Sequence, residues 1–246
     1  MENIKTSLFP KNIAVGWLYF YIHFITEITC FYFLASVAKE SFVVWLIPFV
    51  YDALAFVPQG IIGNFSDKHP KLNIGLVGIV LLFLAILLKF FFKINPFVCL
   101  LFLTIGNCIM HISGAEDTLR LSDGRLSHPA IFVAGGSFGV IIGKLLANIN
   151  LSFLPILFLI LTMIPFLLLA KTYRTETSNN KESCKNFNYA NLNIAPFLVI
   201  LLATFVVIVR GYIGYGIPTS WNKTVVQNII FFFTMGIGKA LRRNFV

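Results

Sequence analysis

Run after run of about twenty apolar residues, separated by short polar gaps, constrains this chain more than any other feature. Crossing about 30 Å of hydrocarbon at about 1.5 Å per residue takes roughly 20 residues. Eight runs of that order fall near 13–37, 43–63, 72–93, 95–113, 129–147, 151–170, 194–217 and 224–241. Backbone groups that face lipid must be paired within their own segment, so each run is expected to be a helix. Hydrophobic residues make up 58% of the 246 and charged residues 12%, with a mean hydropathy of +0.85. A soluble globule of this size cannot hide so much apolar surface. The expected fold class is an all-α polytopic membrane protein of about eight transmembrane helices.

The net charge of +9 raises the question of nucleic acid. The basic residues, however, sit mostly in the gaps between apolar runs and form no stripe on a polar face, so no nucleic-acid partner is expected. They set orientation instead. With the N-terminus inside, thirteen Lys and Arg fall in cytoplasmic segments, among them Lys5, Lys11, Lys68, Lys71, Arg120 and Lys171, whereas the opposite side holds only Lys39, Lys93 and Lys223. That bias places both termini in the cytoplasm. Lys89, Lys144 and Arg210 lie towards outer helix ends, where long side chains snorkel to the headgroups. The four cysteines, Cys30, Cys99, Cys108 and Cys184, show no CxxC spacing, so no disulfide framework and no zinc site is expected from them. The first apolar run is too long for a signal-peptide core and lacks a clear cleavage site, and it reads as a retained helix.

One long polar gap, 171–193, separates six expected helices from two. It divides the chain into a six-helix bundle over 1–170, a cytoplasmic linker, and an incomplete second bundle over 194–246.

Several polar residues interrupt the apolar runs. His23 and Glu27 are four apart and share a helix face with Gly16, Tyr19 and Cys30. A charge at mid-membrane costs about 2.5 to 3.5 kcal/mol and is tolerated in a protein-lined or wet cavity; the pair therefore reads as a proton or substrate site, with an ion pair that only locks helix packing as the alternative. Asp52 and Gln59, seven apart on the second run, read as cavity-lining residues or as polar groups satisfied within the bundle. Pro48 and Pro58 loosen that helix. Thr104, Asn107 and His111 form a polar face on the fourth run, on which Asn107 and His111 read as further proton or substrate residues, with a helix–helix hydrogen bond the alternative for Asn107. His111 is expected near the cytoplasmic end, where an interfacial histidine is unremarkable. Gly135, Gly139 and Gly143 recur every four residues on the fifth run and predict a close helix contact. Arg210, before a Gly- and Tyr-rich outer helix end, is suited either to a polar solute or to an interfacial belt.

The stretch 63–71 carries Gly63, Asp67, Lys68 and Lys71 in the spacing Gly-x-x-x-Asp-[Arg/Lys]-x-x-[Arg/Lys] and reads as a tight cytoplasmic loop. It resembles the loop joining helices two and three in major facilitator superfamily transporters, where acid and bases form a charged latch. The stretches 23–27, 106–114 and 210–218 look like the first, fourth and seventh helices of a bacterial branch similar to the fosmidomycin-resistance efflux proteins. The resemblance implies a secondary active transporter of a small solute in the bacterial inner membrane, working by alternating access between two bundles. It further implies proton coupling at Glu27 and His23, no cofactor, and no enzymatic activity. Three features depart from the family pattern. Pro70 stands where the loop has glycine, the Gly-Pro pair of an antiporter fifth helix is absent, and the chain stops after the eighth expected helix where about twelve would be. A truncated transporter is thus the expectation, with a non-transporting fragment or partner subunit as the alternative. A membrane-embedded lipid enzyme using Glu116, Asp117, Asp123, His111 and His128 is a third reading, without a recognisable ligand or nucleophile pattern. Neither the solute nor its direction is legible.

Overall fold

A computed structural model describes residues 11–38, 46–69, 72–120 and 127–179, together with isolated positions between 198 and 237. The described elements are all helical: α1 (Lys11–Ala38), α2 (Leu46–Phe56), α3 (Gln59–Lys68), α4 (Ile74–Phe90), α5 (Pro96–Arg120), α6 (Ser127–Asn148) and α7 (Phe153–Asn179). Four contain stretches long and apolar enough to cross a membrane, Ala14–Val37, Pro96–Arg120, His128–Asn148 and Phe153–Tyr173, and α4 is a shorter apolar helix. The chain is therefore a helical protein of membrane type. Apart from those isolated positions the seventh and eighth expected spans lie outside the described residues, as do the linker beyond Asn179, Cys184, Lys71 and Arg210.

The first helix occupies the centre. Of its apolar span 67% is buried, against 33% for α7 at the periphery. It packs on α6, α7 and α5, while α2 leans on α5 and α4 fills the angle between α5 and α7. Three glycines fix the closest of these contacts. A Cβ at Gly135, Gly139 or Gly143 would overlap the backbone carbonyl oxygen of Phe20, Phe24 or Ile28 respectively. Both helices advance four residues from one contact to the next, so α1 and α6 run parallel and nearly in register, backbone against backbone. Gly78 and Gly106 face one another between α4 and α5, which are antiparallel, and a Cβ at either would crowd the other's carbonyl oxygen. The outer rim is apolar. Val77, Val80, Leu101, Ile105, Phe158 and Leu168 are exposed, as expected of side chains that meet lipid rather than water.

Four boundaries differ from the sequence expectation. The second run is not one helix: α2 ends at Phe56, Val57 and Pro58 turn, and α3 begins at Gln59. Pro58 has no N–H to continue the ladder, and its ring crowds the preceding turn. The stretch 63–71 is not a loop throughout, because α3 continues through Lys68 and His69 caps it by donating its N–H to Phe65 and Ser66 carbonyls. The fourth run does not stop near 113: α5 continues to Arg120, with Ser113, Asp117 and Thr118 buried. The sixth likewise extends past 170 to Asn179, into the polar stretch read as linker.

Candidate functional site

The side chain that organises the interior is Glu27. At about 1.5 Å per residue it lies about 20 Å from Ala14, near the middle of the span, and it is only 6% exposed. His23, one turn away and 7% exposed, brings its Nε2 to 3.5 Å from Glu27 Oε1. His111 on α5 completes the group, with Nε2 3.6 Å from the same oxygen and 3.1 Å from His23 Nε2. The extension of α5 explains its place. Arg120, not residue 113, ends the helix, so His111 sits about 13 Å inside that end.

Each imidazole is fixed from behind. His23 Nδ1 lies 2.8 Å from the carbonyl oxygen of Phe132 on α6, and His111 Nδ1 lies 3.0 Å from that of Asn107, one turn back on its own helix. A carbonyl oxygen only accepts, so both rings carry a proton on Nδ1 and direct Nε2 towards Glu27. Phe132 stacks on His23 with centroids 4.5 Å apart, and Phe56 of α2 presents an edge-on contact to His111 at 5.9 Å. The His23 ring occupies the space where a side chain at Gly136 would stand.

A second polar layer lies towards the Arg120 end. Tyr19 donates its hydroxyl to Asp117 Oδ2 at 2.5 Å and lies 3.4 Å from Ser113 Oγ; Asp117 is 1% exposed. At the rim, Ser66 of α3 donates to Glu116 at 2.8 Å, and Arg120 reaches Glu116 at 3.1 Å and Asp67 at 3.5 Å. Asp67 of the expected latch thus meets Arg120, a residue outside the sequence motif. Lys68 is exposed, and a Cβ at Gly63 would meet Ile112 at ordinary contact distance.

The other expected site residues divide. Asn107, 1% exposed, donates its amide to the hydroxyl of Tyr51 on α2, a bond between helices. Thr104 donates to the Leu101 carbonyl of its own helix at 3.1 Å. Asp52 is half-buried on α2. Gln59 donates to the Ala55 carbonyl at 3.1 Å across the Pro58 break, and that break interrupts the register that would have aligned it with Asp52. Tyr51 and Phe132, which support the central group, were not singled out from the sequence; an aromatic residue on an apolar run carries no signal there.

No protein-family model, no curated protein and no solved structure matches the chain.

Proposed function

We propose that the chain is a secondary active transporter, or a part of one, that moves a small solute by alternating access and couples that movement to protons through Glu27 and the two histidines. The observation that carries this reading is the placement of three ionisable side chains together, at mid-depth of the most enclosed helix, in a bundle of membrane-length helices. Burying such groups for packing alone is costly, whereas a site that gains and loses a proton changes the charge facing a cavity and so biases one conformation over another. The parallel, glycine-lined contact of α1 with α6 supplies a smooth surface on which two helices can shift.

The family we propose is the major facilitator superfamily, on the spacing of Gly63, Asp67, Lys68 and Lys71 and on the first-half helix order. The proposed setting is a bacterial plasma membrane, crossed several times with the N-terminus inside. In this reading Arg120, Glu116 and Asp67 hold α3 against α5 at the cytoplasmic side when that side is closed. The enzymatic alternative is weakened by dispersal of its residues: Glu116 binds Ser66 and Arg120, Asp117 binds Tyr19, and His111 turns to His23.

The test is flux in energised inverted vesicles with a panel of small cationic, anionic and zwitterionic solutes. Wild-type protein should move at least one solute in response to a pH gradient, and Glu27→Gln should remove the dependence on that gradient. A Glu27→Gln variant with undiminished gradient dependence removes Glu27 from the mechanism.

A further inference from the structure

We propose that His23, Glu27 and His111 form a three-ligand site for a divalent transition-metal ion of the zinc class. The inference uses side chains of the transport reading but stands without it, because binding a metal requires no transport.

The first argument is geometric. His23 Nε2, His111 Nε2 and Glu27 Oε1 are 3.1, 3.5 and 3.6 Å apart. The point equidistant from these atoms is about 2.0 Å from each, matching zinc–nitrogen and zinc–oxygen bonds of about 2.0 to 2.2 Å. Ligands around a tetrahedral zinc are about 3.4 Å from one another, which falls inside the range of the three observed edges. An ion fits with no movement of the helices.

The second argument concerns protons and charge. Both histidines use Nδ1–H on a backbone carbonyl, the outer contact that orients a metal-ligating imidazole. When both rings are neutral, two nitrogen lone pairs and a carboxylate oxygen converge on one point in a buried setting. A cation placed among them is attracted by all three. A shared proton is one such cation; a divalent metal satisfies all three groups at once. Two imidazoles and one carboxylate suit zinc and its neighbours, whereas magnesium and calcium require more oxygen ligands.

The third argument is the surrounding scaffold. The ligands come from α1 and α5, and α6 fixes the His23 ring through the Phe132 carbonyl and the vacancy at Gly136. Phe132 packs against the His23 ring and Phe56 against the His111 ring. Three protein ligands leave a fourth position open, unlike the closed four-ligand pattern of structural zinc. Asn107 Oδ1, buried one turn from His111 and without a hydrogen-bond partner among the described residues, is a spare acceptor for a water on that metal.

The test is zinc titration of the full chain, purified without a polyhistidine tag in lipid nanodiscs, against a competing fluorescent chelator near neutral pH. The expected result is one zinc per chain, with affinity reduced on the order of 10- to 100-fold or more in His23→Gln, Glu27→Gln and His111→Gln. Folding of each variant is checked by gel filtration and thermal melting. If none folds, the wild-type protein alone decides: cobalt should give the intense visible absorption of a four-coordinate centre, displaced by zinc and not by magnesium. Zinc binding no tighter than magnesium, equal binding in folded variants, or a cobalt spectrum of the hydrated ion would overturn the site. Failure of zinc binding while Glu27→Gln still loses gradient dependence would leave the proton as the sole cation, so the two readings fail separately.

Discussion

The central side chains were only partly legible in the sequence, and the reason differs from residue to residue. His23 and Glu27 announce themselves because four residues along a helix is a contact distance. His111 was a candidate on the polar face of its own run, but its pairing with His23 and Glu27 was not legible, because it lies 88 positions and three helices beyond His23 and because the polar run after residue 112 marked an apparent membrane boundary. That run is buried instead, with Asp117 under the Tyr19 hydroxyl. Hydropathy reads a polar residue as exposed, whereas a polar residue with a partner can be placed deep. Asn107 and Tyr51 give a test at this scale. Tyr51→Phe leaves the Asn107 amide without its acceptor and should lower stability by about 1 kcal/mol, while Asn107→Leu in the same chain should recover part of that loss. Thermal melting in one detergent checks it, and a double variant worse than Tyr51→Phe would contradict the pairing.

At the scale of elements, the helical periodicity was readable and the breaks were harder. Pro58 was recognised as a loosening residue, yet it separates α2 from α3 altogether. Residues 63–68 were read as loop from their polarity, but they retain a helical pattern in which Ser66 faces Glu116 while Phe65, Asp67 and Lys68 face outward. Two glycines separate packing from composition. Gly139→Leu should cost several kcal/mol, of order 3, or prevent folding, because its side chain meets the Phe24 backbone and α1 cannot yield. Gly60→Ala in α3 meets nothing within 4 Å and should be neutral or stabilising by up to about 1 kcal/mol from helix propensity. Equal melting temperatures for the two variants would mean that the α1–α6 contact is looser than the structure has it.

At the scale of the molecule, the apolar rim and the buried ionisable centre make opposite demands that one environment reconciles. The rim suits lipid, and on the proposed reading the centre exchanges a cation by a path inside the protein. A transporter meets both demands, since its conformational change opens the centre to one side at a time. Thermodynamic coupling is reciprocal, so if a proton gradient drives solute, a solute gradient must move protons. The most direct measurement is therefore the internal pH of proteoliposomes, read by a trapped pH-sensitive dye as a solute gradient is imposed without any initial pH difference. The account predicts that at least one solute of the panel shifts the internal pH with wild-type protein and not with Glu27→Gln. Solute flux with no pH change, or a pH change undiminished in Glu27→Gln, would contradict it.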